Sequence, residues 1–485
     1  MDPIRFQLNG RPIVVEDIPP TTTVLQYVRS TGATGTKEGC AEGDCGACSV
    51  VVLDHDAGGQ PRYRAINSCL LFLPMVHGKQ VFTVEGLTQD GEPHPVQSAL
   101  VDRLGSQCGY CTPGVVMSMF EACYRDDLDQ DWKVDDQMCG NLCRCTGYRP
   151  IREATHAIAG QQPDDSFSAA LAATAPSSMA LHYEAAGHRY QCPDSWSELW
   201  DAMDRAPEAR FIVGATDLAL TVTKRFQPLT DLISLEALPG MDGIERNESS
   251  WTFGAAVKLS DLEAATEQDL PPIARMLRFF ASRQIKNRAT VGGNLCNASP
   301  IGDMAPILMA LGATLHLRSR DGTRSVPMDS FFLDYRETAM GPGEVLAMVE
   351  VPLPDPAARI GAYKVSKRRE LDISAVCAGC FVLLDEGGLV STIRLAYGGM
   401  AATTSRAQAT EAALLGQPWT EDSIEAAIPH LDADFVPIDD HRGSAWYRGT
   451  VAKNLLRGFF WETQGEPVVG LSDRPSGTVV LREGP

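Results

Sequence analysis

The sequence predicts an α+β chain of several domains, and three observations predict it. At 485 residues the chain is too long for one hydrophobic core, so about three or four domains are expected. The apolar period changes along the chain, from the strand-like alternation of Ile4, Phe6 and Leu8 to the helical stripe of Val115, Val116, Met119, Phe120 and Cys123, which separates sheet from helix. Two sets of cysteines fall before residue 150, so the N-terminal third carries chemistry of its own.

The elements follow in order. Ile4, Phe6 and Leu8 alternate with polar residues, Asn9-Gly10 makes a two-residue turn, and Ile13-Val14-Val15 returns, which is a β-hairpin. Val24, Leu25 and Val28 share a helical face, and Cys48 to Leu53 reads as a strand. From Val96 the period turns helical, with Val96, Leu100, Val101 and Leu104 on one face and Gly105 as the stop. Thr112 is placed to cap the next helix with Pro113 at its first position, and Pro150 starts another bearing Ile151, Ala154 and Ile158. Residues 161–180, rich in Ser, Ala, Pro and Asp, read as a linker. Ser195-Trp196-Ser197-Glu198 has capping-box spacing ahead of Leu199 and Met203. Phe211-Ile212-Val213 reads as a buried strand, Val376 to Leu384 and Ile393 to Tyr397 as strands of a smaller α/β domain, and Val451, Leu455, Leu456, Phe459 and Phe460 as a helix stripe. No internal repeat is visible.

The net charge of −20 argues against nucleic acid and against an anionic membrane surface as partners. The N-terminus shows no apolar signal region, and no run of about 18 apolar residues occurs. A cytoplasmic protein is expected, and in a reducing compartment its fourteen cysteines favour metal ligation over cross-linking.

Cys40, Cys45 and Cys48 stand as C-x4-C-x2-C with Cys69 after a gap, the plant-type ligand spacing of a two-iron, two-sulfur cluster. Gly39, Gly43 and Gly46 supply the tight curl and the room around sulfur that such a loop needs. A second set, Cys108 and Cys111 then Cys143 and Cys145, also totals four, with Cys108 and Cys111 at a helix N-terminus whose partial positive charge favours thiolate. Zinc sites usually pair two C-x2-4-C knuckles, and neither set does so; zinc stays as the alternative. Cys123, Cys139, Cys192, Cys296, Cys377 and Cys380 read as structural thiols.

In the second half, the strand at Phe211 delivers the turn Gly214-Ala215-Thr216-Asp217-Leu218, which presents N–H groups as a phosphate cradle does. The run from Phe280 to Asp303 adds Gly292-Gly293, with Thr290, Asn294, Asn297 and Asp303 as hydrogen-bond partners for ribityl and ribose hydroxyls. No G-x-G-x-x-G is present, so a Rossmann site is not supported. The nine histidines are scattered singly, and no catalytic residue is assigned.

Three stretches carry a resemblance: Cys40 to Cys48, Gln107 to Gly114, and Gly140 to Pro150. Together they resemble the iron-sulfur part of the xanthine dehydrogenase family of molybdenum hydroxylases, with Cys139 as a departure from the pattern. The paired glycine stretches resemble the same family's FAD-binding domain. The resemblance implies a plant ferredoxin-like β-grasp domain over residues 1–86 and a helical-bundle 2Fe-2S domain over 87–160. After the linker it implies a vanillyl-alcohol-oxidase-type FAD-binding α/β domain over 181–352, a C-terminal α/β domain over 353–465 and a tail over 466–485. Its metal ligands would be Cys40, Cys45, Cys48, Cys69, Cys108, Cys111, Cys143 and Cys145. Phe211, Ile212, Val213, Gly214, Ala215, Thr216, Asp217, Leu218, Thr290, Val291, Gly292, Gly293, Asn294 and Asn297 would line the pyrophosphate and ribityl chain of FAD. Phe280 would pack near a ring, and Asp303 would accept hydrogen bonds. Leu346 and Lys364 match positions bordering the isoalloxazine; read alone, Leu346 is core and Lys364 part of a solvated basic face. The implied activity is electron relay from a molybdopterin-binding large subunit, which hydroxylates hypoxanthine or xanthine, through two 2Fe-2S clusters to FAD and on to NAD, in a heterotetramer of two of each subunit. Another molybdenum hydroxylase acting on an aldehyde or aromatic, or a flavin-free accessory iron-sulfur carrier, are the alternatives.

Overall fold

The computed structural model describes residues 1–174 and 179–465. The chain divides into two compact units, the first of residues 1–242, 258–261 and 282–290, the second of 243–257, 262–281 and those from 291 on. The expected tail at 466–485 lies outside the described residues.

The first unit opens with β1 (Ile4–Leu8), β2 (Arg11–Val15), α1 (Val24–Ser30), β3 (Ser49–His55), β4 (Pro61–Asn67) and β5 (Gln80–Phe82), the strands forming one sheet in the order β2-β1-β5-β3-β4. β1 and β5 are parallel; the other pairs are antiparallel. Asn9 and Gly10 take φ of 51° and 76°, the left-handed pair that a two-residue hairpin asks for. Thr23 and Gln26 close a full capping box on α1, worth about 1 kcal/mol. β3 is buried on both faces: Val50 and Val52 join the core of Phe6, Leu25 and Phe72, while Val51 and Leu53 meet Val115, Met119 and Phe120.

Those last residues belong to the helical part, α2 (Pro95–Asp102), α3 (Thr112–Tyr124), α4 (Asp131–Met138) and α5 (Arg149–Ile158). α3 is buried along its length, and α5 buries Ile151, Ala154 and Ile158 as expected. The stripe expected on α2 is only half right: Val96 and Leu100 are buried, but Val101 and Leu104 are 70% and 78% exposed. The helix stops at Asp102, and Leu104 swings out at φ 55°. Cys111, not Thr112, is the residue flanking α3; Thr112 is its first helical residue, with its hydroxyl 2.6 Å from that of Ser106.

The stretch read as a linker contains α6 (Ser166–Ala173). Asp165 accepts from the N–H groups of Phe167 and Ser168 at 3.0 and 2.8 Å, and Phe167 packs edge-on against Phe82 and Phe120. Alanines supply helix propensity and one buried aromatic supplies the anchor, which a reading of mean composition overlooks. Residues 175–178 of the same stretch lie outside the described residues.

Next come β6 (Leu181–Ala185), β7 (His188–Cys192), α7 (Trp196–Arg205), β8 (Arg210–Ile212), α8 (Ala219–Thr223) and β9 (Asp231–Ser234), with sheet order β6-β7-β9-β8. Ser195 Oγ accepts from Glu198 N, while the Glu198 carboxylate takes the N–H of Asp194, so the return bond falls one residue early. β8 is an edge strand: Ile212 is buried but Phe211 is exposed, unlike the buried strand expected.

The second unit holds β10 (Ile244–Arg246) and β11 (Ser250–Gly254). α9 (Leu259–Thr266) straddles the division, α10 (Pro271–Arg278) lies in the second unit, and α11 (Arg283–Lys286) returns to the first. Beyond α12 (Val291–Cys296) and the buried α13 (Met304–Leu311) lie β12 (Thr314–Ser319), β13 (Gly322–Pro327), the ribbon β14 (Phe332–Asp334) with β15 (Glu337–Thr338), and β16 (Val345–Pro352). One antiparallel sheet runs β10-β11-β16-β12-β13. Another runs β17 (Arg359–Val365), β18 (Val376–Leu384), β19 (Val390–Gly398), β20 (Ser405–Arg406). The long C-terminal helix, Ala445–Thr463, lays Val451, Leu455, Leu456, Phe459 and Phe460 into the core, as the stripe predicts. No described helix is long and apolar enough to cross a membrane.

Arg448, 2% exposed, anchors that helix by donating to the carbonyls of Ala375 and Gly399 and to Asp440. Burial works against the Asp440 charge, yet Arg448 and the N–H groups of Arg442 and Gly443 hold its carboxyl down at about 2. A carboxyl depressed on folding adds stability above its unfolded pKa of about 3.9 and loses it as pH falls toward the folded value. Thermal unfolding followed from pH 5 to 2 is expected to show this loss between about pH 4 and 2, and Asp440→Asn is expected to lack that step.

Candidate iron-sulfur and flavin sites

The loop from Gly39 to Cys48 curls as its glycines allow. Gly43 and Gly46 sit at φ 84° and 68°, and a Cβ on Gly39 would stand 2.7 Å from Cys45 Sγ, so one glycine makes room for sulfur and two make the turn. The N–H groups of Glu42 and Asp44 point at Cys40 Sγ from 3.4 and 3.3 Å. Cys69 reaches the same loop from the end of β4. Cys40 is in side-chain contact with Cys45 and Cys69, and Cys69 with Cys48. Contact with Cys45, then Cys69, pushes the Cys40 thiol down, and contact with Cys40 pushes Cys45 up.

The second set comes together in the same way. Cys108 meets Cys145, and Cys111 meets Cys143. The N–H of Tyr110, then Cys145, lowers the Cys108 thiol. Burial, then Cys143, pushes Cys111 up to about 12. Against burial, the hydroxyl of Thr146, 3.1 Å from Cys143 Sγ, helps lower that thiol. Cys108 and Cys145 are exposed while Cys143 is buried, and Leu104, Tyr110, Leu142 and Tyr148 are exposed apolar neighbours in the chain. Cys139, the departure from the family pattern, closes the C-terminus of α4, its N–H donating to Asp136 O.

Among the described residues no three His, Cys, Asp or Glu side chains close around a single point as one ion requires. The thiols of the first set touch in a row, Cys45 to Cys40 to Cys69 to Cys48, and those of the second in two pairs, arrangements that suit four ligands shared between two irons. Gly114, in the first turn of α3, presses on the first loop: a Cβ there would stand 2.1 Å from Gly46 O. Gly114→Ala is expected to destabilise the protein by about 1–3 kcal/mol, read as a lowered thermal midpoint.

The residues expected to bind flavin are divided by the fold, with Phe211 to Leu218 and Thr290 in the first unit and Phe280, Val291 to Asn294, Asn297, Asp303, Leu346 and Lys364 in the second. In the first unit Ala215 takes φ 65°, a strained value for a residue with a Cβ. Gly214 and Thr216 line a cleft with Asn67, Leu70, Gln284 and Arg288. A Cβ on Gly214 would meet Arg288 O at 2.1 Å, so that glycine serves close packing of backbone. Asn67 Oδ1, Gln284 Oε1 and Arg288 Nε are buried there without hydrogen-bond partners.

In the second unit Gly292 also answers a neighbour in the protein: its N–H donates to Ala255 O at 2.8 Å, and a Cβ would clash with Ala255. Asn294 Oδ1 is buried without a partner, a donor-seeking oxygen of the kind a ribityl hydroxyl satisfies. Lys364 is not on a solvated face. Its ammonium is buried, 2.6 Å from Asp303 Oδ2 and 5.9 Å from the centre of the Phe280 ring. Ser374 donates to Asp303 Oδ1 at 2.5 Å, so each oxygen of Asp303 is already engaged. Leu346 is buried on β16, paired with Leu317.

One group of residues escaped sequence reasoning. Glu121 of α3, 1% exposed, accepts from Ala65 N, Gln137, Arg283 and Asn287. Fully buried Lys286 pairs with Asp136 at 3.0 Å, and Arg288 pairs with Glu236. Gln284, Lys286, Asn287 and Arg288 lie in the run read as flavin-binding, but their partners lie far away in sequence, and no local pattern announces them.

Comparison with known proteins agrees along the chain. Residues 6–73 match a 2Fe-2S iron-sulfur cluster binding domain, 83–156 a [2Fe-2S] binding domain, 183–354 an FAD binding domain in molybdopterin dehydrogenase, and 361–463 a CO dehydrogenase flavoprotein C-terminal domain. Xanthine dehydrogenase from Emericella nidulans is 32% identical over 95% of this chain and 38% of its own length. Xanthine dehydrogenase/oxidase from Gallus gallus is 33% identical over 88% of this chain and 37% of its own. The chain thus spans less than two fifths of these relatives. Among solved structures, a carbon monoxide dehydrogenase chain from Hydrogenophaga pseudoflava matches with a TM-score of 0.53 and 29% identity over 56% of this chain and 94% of that one. A quinoline 2-oxidoreductase chain from Pseudomonas putida 86 matches with a TM-score of 0.52 and 25% identity over 57% and 96%. The chain therefore belongs to the molybdenum hydroxylases and is the iron-sulfur and FAD-binding portion of one.

Proposed function

We propose that this chain is the electron-transfer portion of a xanthine dehydrogenase, an oxidoreductase working in the cytoplasm beside a molybdopterin-binding partner that hydroxylates hypoxanthine and xanthine, with two of each chain in the assembly. The observation that carries the proposal is the gathering of eight thiols into two sets of four on one unit, with a flavin-type segment following in the same polypeptide. Xanthine dehydrogenases at 32–33% identity match across nearly all of that order, which supports a purine over other substrates. When bound, the clusters carry single electrons and the flavin joins them to a two-electron acceptor, NAD.

The residues divide the work. Cys40, Cys45, Cys48 and Cys69, half-buried to buried, would hold one cluster, and Cys108, Cys111, Cys143 and Cys145 would hold the other, with Cys108 and Cys145 open to a partner. Exposed Leu104, Tyr110, Leu142 and Tyr148 give the partner apolar surface to cover. In the first unit the turn from Gly214 to Leu218 and Thr290, and in the second unit Val291 to Asn294 and Asn297, would serve the phosphates and ribityl chain of FAD, and Lys364, fixed by Asp303, would serve the isoalloxazine. No side chain of this portion is assigned acid-base work on the purine.

The test is anaerobic titration of the co-purified complex with NADH, followed by turnover with xanthine. Bleaching of flavin bands, four irons per chain and urate production are expected; a protein with iron but no flavin would overturn the proposal. A second reading, the same portion of an aldehyde or aromatic hydroxylase, draws on the likeness to quinoline 2-oxidoreductase, and turnover with quinoline but not xanthine would favour it.

A further inference from the structure

Eight thiols account for the irons but not for what holds the two cluster loops against each other. Leu142 N–H donates to the Cys45 carbonyl at 3.0 Å, so a residue covalently next to Cys143 is bonded directly to a ligand of the other set. Asn141 Nδ2 adds a bond to Gly46 O at 3.3 Å. The backbones approach so closely that a Cβ on Gly46 would meet Gly140 O at 2.3 Å.

One side chain clamps this junction. Gln284 of α11, 1% exposed, donates from Nε2 to Asn141 Oδ1 at 2.8 Å and to Ser118 Oγ at 2.9 Å. Its Oε1 lies where a Cβ on Gly140 would come within 1.9 Å, and it has no hydrogen-bond partner. A buried carbonyl left unbonded is unfavourable, so the amide is held there by fit and by its two donated bonds. Gln284 belongs to the stretch Ser282–Thr290, which the chain sends back into the first unit.

We propose that Gln284 is a positioning residue for electron transfer between the two clusters: by holding Asn141 it fixes the Cys45–Leu142 contact, and with it the separation and relative potential of the two centres. The inference rests on the relay proposed above. The step moves one electron from the cluster of the Cys108 set to the cluster of the Cys40 set. The first is oxidised and the second reduced by one, no bond is made or broken, no proton moves, and the reduced molybdenum partner supplies the electron.

The experiment uses the full complex carrying Gln284→Met, which keeps shape and removes both donated bonds, and Asn141→Asp, which keeps the acceptor for Gln284 and removes the bond to Gly46. Iron, acid-labile sulfide and flavin are assayed first; the dithionite-reduced protein is then examined by electron paramagnetic resonance, with a redox titration alongside. Expected are unchanged iron and flavin, loss of the magnetic splitting between the two reduced clusters, and up to about a tenfold change in how one electron partitions between them, the worth of one buried hydrogen bond and about 59 mV for a one-electron couple. Unchanged splitting and partition in fully loaded variants would overturn the proposal. Should Gln284→Met fail to load iron, Asn141→Leu, which removes the acceptor of the Gln284 amide, decides by the same readouts. A wild-type complex without iron or sulfide would instead overturn the relay itself.

Discussion

Cys45→Ala is expected to remove half of the iron and acid-labile sulfide, one of the two cluster signals, and, on the relay proposed above, nearly all turnover of the complex. Cys45 touches Cys40 within its set and lends its carbonyl to Leu142, so the substitution takes a ligand while leaving the backbone junction in place. Changes one shell outside a metal typically cost about 10–100-fold, and loss of a ligand is expected to exceed that because a linear relay offers no bypass. Flavin reduction by NADH should persist, since it needs none of these thiols. Metal analysis separates the outcomes cleanly: full iron content in the variant would mean that Cys45 is not a ligand.

The second large effect concerns Lys364. Lys364→Met removes the partner of a buried carboxylate, Asp303 being 4% exposed, and an uncompensated buried charge costs about 3–5 kcal/mol. A marked drop in thermal midpoint is expected, with loss of flavin on gel filtration. The double variant Lys364→Met, Asp303→Leu removes both charges, and such replacements are often neutral for stability. It is expected to regain the midpoint but not the flavin, whose affinity should stay about 10–100-fold lower for want of a charged hydrogen-bonding partner. Recovery of flavin together with stability would assign the pair a purely structural role.

What could be read in advance, and what could not, follows from the range of the interactions. The hairpin at Asn9-Gly10, the α3 stripe and the C-terminal helix stripe are set by neighbours within a turn or two, and the sequence displays them. The cysteine sets were legible because metal chemistry dictates spacing. Val101 and Leu104 were misjudged because a helical period says which residues share a face but not where the helix ends. Lys364 read as solvated because its run of positive charge is local, while Asp303 lies 61 residues earlier, ahead of α13 and the strands β12 to β16. Glu121, Lys286, Gln284 and Asn287 stayed hidden for the same reason: polar side chains look like surface until the fold supplies distant partners. The glycines at 214 and 292 were legible as necessary, but the structure assigns their need to backbone contacts with Arg288 and Ala255.

The return of Ser282–Thr290 to the first unit bears on how the protein is made. Cys145 leaves the ribosome about 145 residues before Thr290, an interval of roughly 10–30 s at ordinary elongation speeds. Throughout it Glu121 and Asp136 lack Arg283, Asn287 and Lys286, and Asn141 lacks Gln284. The N-terminal part is therefore expected to be looser before residues 282–290 are made than after, and to tighten around both thiol loops as Gln284, Lys286 and Asn287 find their partners.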